Sequence, residues 1–150
     1  MVRVQIQLPD DIHANVIALC ERGDRLCDRG DLVGSIQEYQ RAWDLLPEPR
    51  EDWETATHIL TALADAHFHS KEFELALSAL QQAVGCPAGL GNPFVHLRLG
   101  QCHLELGNEV PAADELARAY MGGAAEIFEE EDPKYFAFVK TVLREPPGGW

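Results

Sequence analysis

Six histidines and four cysteines are the residues of this 150-residue chain with the most obvious potential for metal binding or catalysis. His67 and His69 are two positions apart in a helical pattern, so they point to different faces and are poorly placed to share a metal ion. Asp65 and His69 are four positions apart on one face, a spacing that suits weak metal binding or acid–base chemistry. Because an exposed polar pair is the more ordinary result of that spacing, we expect no metal ion and no cofactor.

The cysteines are placed for packing rather than for nucleophilic catalysis. Cys20 and Cys27 are seven positions apart on one predicted helix, and neighbouring carboxylates raise thiol pKa and lower reactivity. No CxxC pair occurs, and a disulfide framework is typical of smaller secreted chains, so we expect free thiols. The segment LGNPF lacks the lysine and the preceding strand of a phosphate-binding loop. His96 and His103 occupy helix-packing positions. Together these features predict a protein that is not an enzyme.

The overall charge disfavours two classes of partner. Twelve lysines and arginines stand against 25 aspartates and glutamates, which gives a formal net charge of −13 and a pI near 4.7. Such a surface repels nucleic-acid phosphates and anionic lipids, so we expect neither nucleic-acid nor membrane binding. It attracts basic proteins, although the same charge also serves to keep a small protein soluble. The sequence MVRVQIQLPD lacks the apolar core of a secretory signal, and we expect a cytoplasmic location.

The first nine residues differ in pattern from the rest of the chain. Apolar and polar residues alternate with the period of a short β-strand, and Pro9 ends the alternation. We therefore predict an extended N-terminal segment over residues 1–9 that lies over the helices or pairs with a partner or a second copy. From there the apolar spacing becomes helical, with Asp10 and Asp11 as candidate N-cap residues.

A helical hairpin then occurs three times, over about residues 14–49, 53–87 and 93–122. Five sets of matching positions carry this recurrence: Gly23, Ala64 and Gly100; Gly30, Lys71 and Gly107; Ser35, Ala76 and Ala112; Tyr39, Leu80 and Leu116; Ala42, Ala83 and Ala119. Small residues at fixed positions allow close approach of neighbouring helices, and larger ones fill the space between them. One all-α domain over residues 10–145 is predicted.

A last helix over residues 133–144 follows an acidic run. Asp132 and Pro133 form a helix-start signal, and the aromatic residues that follow are expected to cover the exposed core of the third hairpin. A dimer surface is the alternative for this helix. Glu126 and residues 129–132 are expected to be a solvated linker, or else a second contact for a basic partner. We predict a loose tail over residues 146–150, with Trp150 exposed.

The matching positions resemble those of the tetratricopeptide repeat family over roughly residues 14–122. Departures occur at Lys71, where the family has a turn glycine, and in the longer loops between repeats. The resemblance implies three repeats and a C-terminal capping helix, arranged as a right-handed superhelical stack of helical hairpins. It also implies a concave face, lined by the first helix of each repeat, on which ligands bind.

The resemblance further implies which side chains face that groove. They combine apolar residues with carboxylates and include no lysine or arginine: Ile17, Cys20, Asp24, Cys27, Asp28, His58, Thr61, Asp65, Phe68, His69, Phe94, Leu97, Gln101, Leu104 and Glu105. One branch of the family clamps the acidic tail of heat-shock chaperones with groove lysines and asparagines. Asp24, Asp65 and Gln101 hold the matching positions here, so charge repulsion disfavours that ligand.

We therefore expect a protein-binding module that holds a basic or amphipathic protein segment. One expected role, by analogy, is that of an immunity protein that inhibits a basic toxin; small acidic three-repeat proteins also resemble chaperones for secreted proteins. A homo-oligomeric scaffold, joined through the N-terminal strand or the last helix, is the alternative from a different class. Fold alone does not choose among these roles.

Overall fold

Residues 7–150, which the computed structural model describes, contain seven α-helices and no strand. The helices are α1 (Asp10–Asp28), α2 (Leu32–Leu45), α3 (Glu54–His69), α4 (Phe73–Val84), α5 (Pro93–Glu105), α6 (Glu109–Gly123) and α7 (Pro133–Val142). Most of the predicted N-terminal strand lies outside the described residues. Leu8, which is within them, packs against the first part of the core. No helix of the described chain is long and apolar enough to cross a membrane.

Side-chain caps start three of the seven helices, α2, α5 and α7. Asn92 and Asp132 accept hydrogen bonds from the amides two residues later, and each is followed by a proline at the first helical position. Asp10 and Asp11, which we expected as N-caps, instead lie inside the first turn of α1, where their negative charges interact favourably with the helix dipole. Pro9 is the residue that precedes this helix, and it provides no side-chain cap.

The turn within each hairpin has the same hydrogen bonds in all three copies. The amides of Asp31, Glu72 and Asn108 donate to the carbonyls five residues earlier, at distances of 2.9, 2.8 and 2.8 Å. This bond belongs to a Schellman turn, which needs a left-handed residue just before the donor. Gly30 and Gly107 supply it with φ of 80°, and Lys71 supplies it with φ of 61°. The middle copy therefore keeps the turn geometry without its glycine.

Lys71→Gly should raise the free energy of unfolding by about 0.5–1 kcal/mol, because a side chain at positive φ is strained and glycine is not. Urea unfolding followed by circular dichroism measures the change. Lys71→Ala keeps the Cβ and removes only the exposed charge, and so it should leave stability nearly unchanged. An equal gain from both substitutions would show that charge, rather than backbone strain, limits this turn.

Small residues permit close contact within the first and third hairpins, as the recurrence predicted. A Cβ added to Gly23 would overlap the Tyr39 ring, and one added to Gly100 would overlap the Leu116 side chain. The recurrent alanines of the second helices, Ala42, Ala83 and Ala119, are completely buried. The repeat pattern therefore identified the inner faces of the helices correctly.

The hairpins stack in chain order. α1 pairs with α2, α3 with α4 and α5 with α6, while α2 packs on α3 and α4 packs on α5. The first helices α3 and α5 also touch directly. Three overlapping clusters of buried residues run along the stack, so one continuous core holds the repeats together.

The last helix covers the end of that core. Tyr135 and Val139 of α7 are buried in a cluster with Leu97 and Leu116 of the third hairpin, which confirms the capping role. The helix ends at Val142, two residues before the predicted Arg144. The prediction of an exposed Trp150 is wrong. The Trp150 ring makes edge-to-face contacts with Tyr120 and Phe136, with centroid distances of 5.6 and 5.9 Å, so the final residue closes over the cap.

Candidate binding groove

The first helices of the three hairpins face a concave hollow of about 300 Å³. Its lining is contributed mainly by α1, α3 and α5: Asp24, Cys27, Tyr39, His58, Thr61, Ala62, Asp65, Phe94, Leu97, Arg98 and Glu131. A second hollow overlaps it at the first repeat and adds Asp28, Gly30, Leu32 and His69. We call the two hollows together the groove.

Most of the side chains that were expected to face the groove do so. From the expected set, the lining includes Asp24, Cys27, Asp28, His58, Thr61, Asp65, His69 and Phe94, together with Leu97, which borders the hollow although its side chain is buried. Phe94 is the most exposed of the apolar members, at 64%. The helical phase assumed for α1 and α3 therefore places these carboxylates and histidines on one concave surface.

Other expected residues are not available to a ligand. Cys20 and Gln101 are buried, so neither presents its side chain to the groove surface. Leu104 packs into the cluster under α7, and Glu105 is engaged by residues of that helix. Ile17 is exposed but lines neither hollow. Phe68 also lines neither hollow, because the Arg98 guanidinium lies over its ring. Three of these six residues belong to the third repeat, whose end is covered by the capping segment.

Arg98, which the expected set did not contain, places a cation in the groove. The guanidinium of Arg98 donates to Asp65 and Glu131 at 2.7 and 2.9 Å, and to the side-chain oxygen of Gln101 at 2.7 Å. Its side chain is only 14% exposed and lies over the Phe68 ring, 4.6 Å from the centroid. Although burial acts to lower the pKa of Arg98, the two carboxylates outweigh it and raise the pKa, so the charge is fixed.

Glu131 belongs to the acidic run that was expected to be a solvated linker, and for this residue the expectation is wrong. It accepts hydrogen bonds from Arg98 and from the side-chain amide of Gln101, the latter at 3.0 Å. Its side chain is 18% exposed, whereas Glu129 and Glu130 are exposed. The i, i+3 spacing of Arg98 and Gln101 places them on one helix face, but no local signal reveals that Glu131 lies between them.

Asp24 is held in place by a buried tyrosine. The Tyr39 hydroxyl donates to Asp24 at 2.5 Å. Burial, followed by the bond and charge of Asp24, raises the pKa of Tyr39, so the hydroxyl stays a donor. Asp28, one turn further along α1, is exposed. The first-repeat end of the groove therefore presents one oriented carboxylate and one solvated carboxylate four residues apart.

The four cysteines are free thiols, as expected. Burial, with a smaller effect of Asp24, raises the pKa of Cys20 to about 11. Burial also raises the pKa of Cys102, to about 12. Both thiols therefore stay protonated at neutral pH, which makes them poor nucleophiles. Cys27 is the partly exposed member and lines the groove, where it can report on occupancy.

His69 and His96 each pair with a single carboxylate. The buried His96 ring contacts Glu115 through Nδ1 at 2.5 Å, and its Nε2 accepts from the Gly91 amide at 3.1 Å, as expected for a core histidine. His69 lies 3.5 Å from Asp65. Within residues 7–150, no three His, Cys, Asp or Glu side chains are grouped as metal ligands.

Two residues of α7 close over Glu105 at the third-repeat end. Lys134 pairs with Glu105 at 2.5 Å, and the Tyr135 hydroxyl donates to it at 2.7 Å. These hydrogen bonds, that of Lys134 first, lower the pKa of Glu105 from its ordinary 4.5. A lowered pKa means that the bonds stabilise the folded state above pH 4.5, and that this contribution is lost as pH falls through the lowered value.

Glu105→Gln should therefore lower the melting temperature at neutral pH, with the difference from the unmodified protein disappearing in acid. Thermal unfolding measured from about pH 7 down to about pH 3 follows the loss. Glu130→Gln, an exposed carboxylate nearby, is the control and should show no such convergence. A difference between Glu105→Gln and the unmodified protein that stays constant with pH would contradict the assigned role.

The chain matches no protein-family model and no curated protein. Solved structures do match it. The first TPR of Spaghetti (RPAP3), bound to the HSP90 peptide SRMEEVD, is 19% identical with a TM-score of 0.65, over 86% of this chain and 93% of that one. PcrH from Pseudomonas aeruginosa is 17% identical with a TM-score of 0.67, over 94% and 98%.

The type III secretion chaperone SycD from Yersinia enterocolitica, in complex with a peptide of the translocator YopD, is also similar. It is 13% identical with a TM-score of 0.67, over 91% of this chain and 96% of that one. These likenesses show that the chain has the fold of a tetratricopeptide repeat domain, in agreement with the resemblance seen in the sequence.

Proposed function

We propose that the protein binds another protein by holding a basic or amphipathic segment of it in the groove. The observation that carries this proposal is the balance of charge on the described lining. Four carboxylates, from Asp24, Asp28, Asp65 and Glu131, stand against the guanidinium of Arg98. Since Arg98 already pairs with Asp65 and Glu131, the groove retains negative charge at its first-repeat end.

The distribution of side chains suggests how such a segment is oriented. Asp24 and Asp28 lie on α1, where a lysine or arginine of the partner can reach both carboxylates. Phe94, on α5 at the other side of the hollow, offers an exposed aromatic surface to an apolar side chain. A segment that carries both a basic and an apolar side chain can therefore contact the α1 carboxylates and Phe94 at the same time.

Two of the similar structures support peptide binding as the mode of action. The RPAP3 domain is bound to an HSP90 peptide, and SycD is in complex with a YopD peptide. The peptide SRMEEVD has three acidic residues and one basic residue. The groove here has the opposite sign to such a peptide, so we expect the opposite charge preference.

Fluorescence anisotropy with two labelled hexapeptides tests the proposal. One alternates lysine with leucine, and in the other glutamate replaces each lysine. The basic peptide should bind at least about tenfold more tightly than the acidic one, and its affinity should fall with added salt because exposed charges are screened. Equal affinities for the two peptides, or no binding of the basic one, would refute the proposal.

Matched variants assign the binding to the groove. Asp24→Asn combined with Asp28→Asn should weaken the affinity for the basic peptide by about tenfold, because two carboxylate contacts are lost. Glu21→Gln combined with Glu74→Gln makes the same change of charge at exposed positions outside the groove lining and should have little effect. Alkylation of Cys27, followed by mass spectrometry, should slow when the peptide is bound. We leave Asp65 unchanged because it also holds Arg98.

Two alternative cellular roles are compatible with binding in this groove. The overall acidity suits an immunity protein that inhibits a basic toxin, whereas the likeness to PcrH and SycD favours a chaperone for a secreted protein. A partner held as an extended segment is displaced by the basic hexapeptide, and a toxin held through a wider folded surface is not.

The alternative role, a homo-oligomeric scaffold, requires the protein to associate with copies of itself. Light scattering should give a monomer if the groove is the working surface. A dimer that disappears when residues 1–9 are removed would favour the scaffold, because those residues carry the predicted strand.

A further inference from the structure

The groove is open at the first repeat and closed at the third. At the closed end, Glu131 lies against α5, where it accepts from Arg98 at 2.9 Å and from Gln101 at 3.0 Å. One turn further along α5, Glu105 pairs with Lys134 and Tyr135 of α7. The segment that follows α6 therefore covers the positions at which a ligand would continue past Arg98.

Glu131 is held by a built polar site rather than by an incidental surface contact. Gln101 is a completely buried polar side chain, and its amide divides its bonds between Glu131 and Arg98. Arg98 in turn is fixed by Asp65 and by the Phe68 ring. Of the five carboxylates in the run from residue 126 to residue 132, Glu131 is the one that is not exposed. The other four carboxylates face the solvent, whereas Glu131 ties the segment to α5.

We propose that Glu131 closes the third-repeat end of the groove and thereby limits the length of the bound segment. The partner is then recognised through a short, extended basic stretch of about six residues. This inference rests on the proposed function and specifies its ligand. The open part of the groove crosses α1, α3 and the start of α5. Helices that pack directly, as α3 and α5 do, are about 8–10 Å apart, and α1 lies at least as far from α3, so the two intervals together span about 20 Å. An extended chain rises about 3.3 Å per residue, which gives the six residues.

The first test needs no ligand. Hydrogen–deuterium exchange of the amides in residues 129–132 should become about tenfold faster in Glu131→Ala, because the carboxylate no longer ties this segment to α5. Glu130→Ala makes the same substitution at the exposed neighbouring residue and should leave exchange unchanged. If both variants exchange at the rate of the unmodified protein, Glu131 does not hold the segment and the inference is refuted, whatever the peptides do.

The second test measures length directly, by anisotropy with the alternating lysine–leucine hexapeptide and with the same peptide extended by Ala-Leu-Ala at either end. In the unmodified protein and in Glu130→Ala, the longer peptides should bind within about twofold of the hexapeptide. In Glu131→Ala, one of the two extensions should gain about tenfold, since Arg98 and Gln101 are freed to bind its backbone carbonyls.

The outcomes separate this inference from the proposed function. A tenfold gain from extension in the unmodified protein, or no gain in Glu131→Ala, would overturn the length limit while hexapeptide binding stands. Loss of preference for the basic hexapeptide over the acidic one would instead overturn the proposed function. In that case the exchange experiment still decides whether Glu131 closes the groove.

Discussion

Arg98→Met should lower the free energy of unfolding by about 3 kcal/mol, the largest effect that we expect from a polar substitution in this protein. Methionine keeps most of the aliphatic stem over Phe68 but removes the guanidinium that joins Asp65, Gln101 and Glu131. The buried side-chain oxygen of Gln101 then loses its partner, and Glu131 becomes a largely buried carboxylate without its counter-charge. Urea unfolding measures the loss.

Two comparisons make the Arg98 result specific. Arg118→Met removes an exposed arginine that pairs with Asp114 four residues away, and its cost should be below about 0.5 kcal/mol. Adding Glu131→Gln to Arg98→Met should recover part of the loss, because the stranded charge is removed. If Arg98→Met costs no more than Arg118→Met, the network contributes little to stability and the closed end of the groove has another cause.

Ala83→Phe should destabilise the protein by about 1–3 kcal/mol through overpacking. Ala83 is completely buried on α4, in the cluster that contains Ile59 and Leu60 of α3. A phenyl ring at this position forces the two helices of the middle hairpin apart or drives neighbouring side chains from their preferred rotamers. A lowered midpoint of thermal or urea unfolding reports the effect.

The same substitution at an exposed alanine provides the control. Ala18 lies on the exposed side of α1, and Ala18→Phe should change stability by less than about 0.5 kcal/mol. The corresponding positions Ala42 and Ala119 are equally buried, so phenylalanine there should be comparably destabilising. A melting temperature unaffected by Ala83→Phe would be inconsistent with the observed packing of α3 against α4.

Arg98 and Glu131 connect the stability of the protein with peptide binding. Arg98 and Glu131 contribute to the fold by joining the second repeat, the third repeat and the segment before α7. They also define where the groove ends. Substitutions at these positions should therefore change stability and peptide-length preference together, whereas Asp24 and Asp28 should mainly change affinity. Measuring both properties for each variant distinguishes the two kinds of residue.

The sequence by itself determined the hairpins and their inner faces. Ala42, Ala83 and Ala119 recur at matching positions and are all buried, because the spacing of small residues along a helix decides which side can approach a neighbour. Helix starts such as Asn92–Pro93 are equally local, since the cap and the first turn are only two residues apart. The acidic character of the groove followed from the same phase on α1 and α3.

Only the tertiary structure decided how the groove ends and what covers the cap. Arg98 and Glu131 are 33 residues apart, and Trp150 meets Tyr120 across 30 residues, so neither contact leaves a periodic signal. The path of the chain between α6 and α7, which begins at Ala124 with φ of 53°, sets the first contact, and the segment after α7 sets the second. Helical periodicity tells which face of a helix turns inward, but a loop that folds back over that face is specified by its own packing. For this reason Gln101 and Glu105, which were expected to face the groove, are covered by the chain itself.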